Sequence, residues 1–516
     1  MQRIGGVLPY YIEVEPGKSG MTALAGLSPY LDLMQVAKIR ESVERHIHLL
    51  ENGQGWTAAQ LVTHAVLVNL AGGDCVDDLE RLSADAGFGE VVRRVECAGM
   101  TRQQRREMER RFRRGGQRSI ASPSAMRRFL EEFHDEAQER LRAKAPGKAF
   151  IPRPNEHLRG LYQVNWDLVA FAQRRRPQRT ATLDIDAVVI ETCKEEALFC
   201  YEKTKAYQPL NIYWAEHGLV VHSEFRDGNV PAGYQIQRVL DELLAHLPAG
   251  VEEVSVRSDT AAYEIALLHY LHSGGNGRVT DGEQAKPIWF ALGVPITKEF
   301  KEAADKPSVE WKVMQRKGRE GGSGKGGREY AEVGYVSNEL ARSKKAPEFR
   351  FIAIREPLEQ PSLPGMEGQQ SFPFATAVFG GKTYKLHAVV TNRPWEWDGE
   401  RVIHWYHERC GKSEEAHAVM QDDLAGGQLP SKRFGASAAW WAMMILSLNL
   451  NQVMKKLALG GKWAEKRMKA MRFAAINTPG RVLCHARQLY LRVSEECADV
   501  LRRMREGVAA LAMTPG

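Results

Sequence analysis

The sequence predicts an α/β protein with helical flanks, on three observations. From Thr182 to Gly275 the pattern runs strand, strand, strand, helix, strand, helix. Residues 279–395 carry four further strand-like runs, "PIWFALG", "YAEVGYV", "FRFIAIRE" and "YKLHAVVTNR". Apolar residues at helical spacing fill most of 31–142, and the chain reads as helical from about Ile403 to its end.

Residues 1–30, with their Gly and Pro, form an extended lead-in. In "GWTAAQLVTHAVLVNLAGG" Thr57 stands where an N-cap belongs and a Gly pair ends the helix. Short helices with Gly-bearing turns and a basic flank match a helix-turn-helix DNA module or a plain bundle. Residues 145–180 read as a Pro- and Arg-rich connection, and "TLDIDAVVIE" (182–191) as a strand. "NIYWAEHGLVVHSEF" reads as a hairpin turning at "EHG", and "EEVSVRSD" as a strand that ends where "TAAYEIALLHYLHSGG" begins as a helix. The Gly-rich "QRKGREGGSGKGGREY" lacks phosphate-loop spacing and is a flexible basic loop. "ASAAWWAMMILSLNLN" (436–451) is too short to span a bilayer and reads as a buried helix.

The 516 residues are 43% hydrophobic and 26% charged, the balance of a globular protein with a sizeable core. The net charge of +7 is modest, so its distribution matters more. Lys and Arg concentrate in 102–128 and recur in 455–505, as a polyanion partner would require; solvated helix faces give the same pattern. Seven cysteines without a Cys-x-x-Cys pair argue against a disulfide framework or thiolate zinc site, and fit a reducing compartment. The N-terminus shows no signal-peptide core, and no membrane partner is expected.

The acids carry the chemistry. Strand alternation puts Asp184 and Asp186 on one face of a core segment, where an unpaired charge costs several kcal/mol. Asp259 ends a neighbouring strand, where α/β sheets place their sites; it also stands where a helix cap belongs. Paired carboxylates suit a hard divalent cation. A third acid is sought in "WYHERCGKSEEAHAVMQDDLAGG" (405–427), read as a helix. Glu414 and Glu415 follow Tyr406 and Arg409 there, and Glu408, Asp422 and Asp423 compete.

Taken in order, "LDIDA", "RSDTAAY" and "YHERCGKSEEAH" resemble the motifs of DDE-type transposases of bacterial insertion sequences. The resembling branch has a Tyr-Arg-Glu-Lys signature and a β-rich insertion between its second Asp and its Glu. The resemblance implies an RNase H-like catalytic core interrupted by that insertion, with helical N- and C-terminal regions. Its division is 1–145 for a helical DNA-binding region and 146–278 for the first part of the core. The insertion is then 279–400, and 401–516 holds the helical remainder. The implied metal ligands are Asp186, Asp259 and Glu414, with Asp184 the rival of Asp186 and Glu415 of Glu414. Tyr406 and Arg409 would contact phosphate.

Val188 stands where the family favours Thr, one extra residue separates Arg409 from Glu414, and Gln421 takes the place of the signature Lys. Lys412 or Lys432 are the substitutes. Implied cofactors are two Mg²⁺ (or Mn²⁺) ions. Implied partners are double-stranded DNA, as terminal inverted repeats and target, with a homodimer holding two ends. The implied activity is cut-and-paste transposition through hairpin ends, in the bacterial cytoplasm at the nucleoid. One of Trp289, Trp311, Trp395 and Trp397 would stack on a flipped base. The alternatives are an RNase H-like nuclease without strand transfer and a domesticated, non-catalytic DNA-binding protein.

Overall fold

The computed structural model describes residues 3–5, 11–13, 20–49, 55–110, 119–145, 147–281, 284–315, 327–341, 347–358, 374–486 and 488–513. The Arg-rich 111–118, the Gly-rich 316–326 and the stretch 359–373 lie outside the described residues.

The N-terminal part is helical, as its spacing predicts. Its longest helix before residue 150 is α1 (Ala58–Ala71). Thr57 and Gln60 form a reciprocal capping box there, and Gly72 ends it at φ 100°, a left-handed geometry that favours glycine. The segment 145–180, expected as a connection, instead holds α2 (Glu156–Arg175), capped by the Asn155 side chain on the Leu158 amide. Its apolar positions, Leu158, Leu161, Val164, Leu168 and Phe171, do recur at helical spacing. The flanking Pro and Arg residues mask that signal in the sequence.

Next come β1 (Thr180–Ala187), β2 (Leu210–Trp214), β3 (Leu219–Glu224), α3 (Ile236–Leu244), β4 (Glu253–Ser258), α4 (Ile265–His272) and β5 (Trp289–Gly293). In space these strands run β3-β2-β1-β4-β5. β1, β2 and β3 form an antiparallel meander, whereas β4 joins β1 and β5 joins β4 in parallel. Helices occupy the two connections between parallel strands, as parallel pairing requires. Gly218, at φ 69°, makes the tight turn between β2 and β3 that "EHG" predicts.

The 279–400 segment continues the same sheet outward. β6 (Lys312–Val313), β7 (Glu329–Val333), β8 (Arg350–Pro357), β9 (Thr376–Phe379) and β10 (Lys382–Thr391) complete ten strands, with β10 antiparallel to β5. Then follow α5 (Gly399–His407), α6 (Lys412–Ala418), α7 (Phe434–Val453) and α8 (Glu495–Met513). The chain is not helical throughout this last part. Gly480–His485 and Gln488–Val493 pair as a hairpin, joined by Met21–Thr22 from the lead-in. The alternation in "RVLCH" and "QLYLRV" accounts for the correction.

The core centres on α7, whose Trp440 and Trp441 are fully buried and which packs on α1, α2 and β3. Among the described residues no helix is long and apolar enough to cross a membrane. Asn449, fully buried on α7, is matched to the β3 backbone and to Asn165. The Asn449 amide donates to Val220 O (2.8 Å) and Asn165 Oδ1 (2.7 Å), and its oxygen accepts from Val220 N (2.9 Å). Asn449→Leu strands the buried Val220 amide, so a loss of about 1–3 kcal/mol is expected in urea denaturation.

A second buried polar pair sits under the N-terminal helices, where Glu96 Oε1 lies 3.8 Å from His64 Nε2. Burial pushes the Glu96 carboxyl up to about 7, against the pull of Gln60, Arg40 and Arg93, and burial pushes His64 down to about 3. A raised carboxyl contributes stability that is full below its unfolded value of 4.5 and lost as pH rises through about 7. A lowered imidazole contributes the opposite slope, between about 3 and 6.5. Relative to wild type, Glu96→Gln is therefore expected to gain stability as pH rises from about 4.5 to 7, in thermal melts taken across that range.

Candidate active site

The two acids of β1 have different surroundings. Asp184 is buried and gripped by Arg257, with Nε to Oδ1 at 2.6 Å and Nη2 to Oδ2 at 2.9 Å. Arg257 stands directly across from it on β4, so one sheet face presents both side chains. Its remaining nitrogen donates to Trp405 O (2.6 Å) and lies 3.5 Å from Glu408, which ties α5 to the sheet. Asp184 is thus neutralised inside the fold. Sequence reasoning does not single out Arg257, although "VRSD" puts it two residues before Asp259 and hence on the same face.

Asp186 is partly exposed near the end of β1. The β1–β4 register ends at Ile185↔Ser258, so the next residue on each strand is Asp186 and Asp259. These two carboxylates leave the carboxyl ends of adjacent parallel strands, on the face that carries Asp184 and Arg257. Asp259 Oδ1 accepts from Ala261 N (3.0 Å) and caps the turn Thr260–Ala262, so the capping role foreseen for it is real. On the other side of Asp186, β2 places buried Asn211. β1 stops at Ala187, short of the ten-residue strand that "TLDIDAVVIE" suggests. Val188 N bonds to Pro209 O, and Ile190–Glu191 pairs in a separate small sheet with Lys205–Tyr207.

Tyr406 and Arg409 come to this end of the sheet from α5. The expected single helix across 405–427 is broken at Gly411, at φ 80°, which separates α5 from α6. Arg409 is buried, and its Nε has no hydrogen-bond partner among the described residues. Burial works against its charge, yet Tyr406 and the carboxylates of Asp186 and Asp259 hold its pKa above the ordinary value. Burial pushes the Tyr406 phenol up to about 12; Arg409 opposes this, and Cys410, Asp259 and Asp186 add to it. Tyr406 and Arg409 therefore both feel the carboxylates of Asp186 and Asp259.

Glu414 lies on α6, but its side chain is outside the described residues. Glu415 is exposed and acts on Tyr213 and Lys455. Of the rival acids, Asp423 is fully buried, near Arg467 and Lys469 at 3.8 and 3.4 Å. Gln421, at the signature Lys position, donates to Val189 O (2.5 Å), so the turn after α6 is held against the exit of β1. Lys432 is exposed and pairs with Glu196 at 3.6 Å. Among the described residues no three of His, Cys, Asp and Glu gather as a metal-binding group. The donors that are described, two carboxylates at neighbouring strand ends, are hard oxygens of the type Mg²⁺ and Mn²⁺ take.

A cleft of about 730 Å³, open to solvent, adjoins this site. Thr260, Gly293, Arg328, His387 and Tyr406 are among its lining residues. None of the four tryptophans named for base stacking is among the residues that line this cleft. Trp289 pairs in register with Ser255, four residues before Asp259, and Arg393 lies over both Trp289 and Trp397. Arg355 covers Trp311 at 4.0 Å. Trp395 is 70% exposed, with Arg350 over its ring at 4.3 Å.

A family model described as transposase DDE domain group 1 matches residues 12–345. The match takes in Asp184, Asp186 and Asp259 and ends before Tyr406. No curated protein matches the chain. Among solved structures, the cryo-EM structure of a piggyBac transposase synaptic complex with hairpin DNA aligns over 96% of this chain and 86% of that one. Its identity is 11% and its TM-score 0.33.

Proposed function

The chain belongs to the transposase DDE domain group 1 family, and from that premise we propose that it cuts and rejoins DNA at the ends of an insertion sequence. The observation that carries the reading is the placement of Asp186 and Asp259 side by side at the ends of parallel strands, with Arg409 and Tyr406 against them. The strand order β3-β2-β1-β4-β5 supports an RNase H-like core whose first part is 146–278, with β5 added to it from the segment assigned to the insertion, while β6 to β10 support an insertion that widens its sheet and 401–516 would supply the helical remainder. The helical region 1–145 would bind the terminal repeats.

In this reading Asp186, Asp259 and Glu414 hold two Mg²⁺ or Mn²⁺ ions. Metal held by these residues would supply Lewis-acid activation of a water and charge stabilisation at the leaving 3′ oxygen in phosphoryl transfer. Asp184 plays a different part. With Arg257 it fixes β1, β4 and α5 relative to one another, so that Asp186, Asp259 and Tyr406 keep their places. Arg409 offers its Nε, which has no partner among the described residues, to a phosphate oxygen, as a buried guanidinium beside an anion site does. Tyr406 keeps its proton at neutral pH and donates a hydrogen bond to the same phosphate. The cleft beside Tyr406 has room for a nucleotide displaced from the duplex during hairpin formation. A dimer would hold two ends together at the nucleoid.

The test is a cleavage and strand-transfer assay on DNA carrying the element's ends. Expected are nicks and joined products with Mg²⁺ or Mn²⁺, and neither after chelation with EDTA. Cutting without joined products would leave a nuclease. Activity that persists in EDTA would contradict the metal ligands assigned.

A further inference from the structure

Arg393 lies where three parts of the chain meet. It follows the end of β10 by two residues and is buried. Its Nη2 donates to Glu253 Oε1 (3.0 Å) and Ser255 Oγ (2.9 Å). Both acceptors belong to β4, and alternation puts them on the face that carries Arg257. Three tryptophan rings surround the same guanidinium, with the ring centres of Trp397, Trp405 and Trp289 at 4.3, 4.7 and 5.2 Å from its central carbon. Each is within cation–π range. Trp289 opens β5, Trp397 stands just before α5, and Trp405 lies in α5 next to Tyr406.

Stability alone gives little reason for this arrangement. The Arg393 Nε is buried with no hydrogen-bond partner among the described residues. A well-packed apolar side chain often matches such a buried cation in stability. What the guanidinium supplies is direction: a planar fork fixed by two acceptors on β4, with flat faces for the rings beside it. The loop from Arg393 to α5 is fixed as well. Arg350 Nη1 donates to Arg393 O (3.1 Å), Pro394 O (2.9 Å) and Trp397 O (2.8 Å). Arg257 holds α5 at one point, the Trp405 carbonyl. A helix held at one point can still swing about it. Arg393 adds a second hold at Trp397, beyond the other end of the helix.

We propose that Arg393 is a positioning residue for the neighbouring site: it fixes the angle of α5 on the sheet, and so the distance of Tyr406 and Arg409 from Asp186 and Asp259. The proposal rests on the DNA-cutting reading of that site. Arg393 touches no DNA in this role. It acts through the helix, so its loss shows in the reaction rate at saturating DNA and not in DNA affinity.

The test uses the full-length chain with Arg393→Lys, which keeps the charge but not the planar fork. Hydrogen exchange is read over 399–410, and single-turnover cleavage of end DNA is read beside it. Expected are faster exchange in 399–410 with the rest of the chain unchanged, and cleavage at saturating DNA slowed ~10-fold or more with affinity unchanged. In a Tyr406→Phe background the same substitution should cost clearly less, because the two changes act at one point. Wild-type exchange rates in 399–410, or equal losses in both backgrounds, would overturn the brace. Trp397→Leu removes one ring and leaves Arg393 on β4. It should give the same pattern, and it stands in if Arg393→Lys melts well below wild type. Wild type that fails to cleave would count against the neighbouring site, and hydrogen exchange would then decide the brace alone.

Discussion

Asp259→Asn and Asp186→Asn are each expected to lower divalent-metal-dependent DNA cleavage by roughly 10³-fold or more while leaving the fold intact. A neutral amide keeps the shape and can still accept from Ala261 N at position 259, so the turn stays capped. Removing one carboxylate relieves its repulsion with the other but also takes a counter-charge from buried Arg409, so the two effects oppose. Melting temperatures of both variants, taken without metal, should therefore stay close to wild type. A marked loss of stability in Asp186→Asn would assign it a structural role instead.

Asp184→Ala is expected to behave in the opposite way. It leaves the Arg257 guanidinium buried without its bidentate partner, and breaking such a pair costs about 3–5 kcal/mol. The urea midpoint should fall accordingly. Replacing both partners with apolar residues, as in Asp184→Leu/Arg257→Met, should recover much of that loss, because no stranded charge remains. Measured at low temperature on folded protein, cleavage by Asp184→Ala should fall far less than by Asp186→Asn. Equal catalytic losses at 184 and 186 would contradict the division of labour between these two acids.

Local pattern reaches the site part of the way. Alternation in "TLDIDAVVIE" shows that Asp184 and Asp186 share a face, and the strand–helix junction at "RSDTAAY" marks Asp259. What separates Asp184 from Asp186 is Arg257, a partner 73 positions away, and only strand register brings it alongside. The strands of 279–395 are legible from alternation, but their addition to the sheet beside β5 depends on non-local pairing. The break at Gly411 is written in "RCGKSEE", yet the polar surroundings give no periodicity against which to see it. Pro- and Arg-rich flanks hide α2, and the helices on either side hide the C-terminal hairpin. The small sheet after β1, Leu198–Phe199 with Lys205–Tyr207, has strands of two and three residues, too short for any period to register.

The most direct measurement of the central claim is anomalous diffraction from crystals of the wild-type chain grown with Mn²⁺. A metal peak shared by the carboxylates of Asp186 and Asp259 is expected, absent from Asp259→Asn crystals, with Asp184 still bound by Arg257. A peak ligated by Asp184, or none at the Asp186–Asp259 pair in the presence of end DNA, would contradict it.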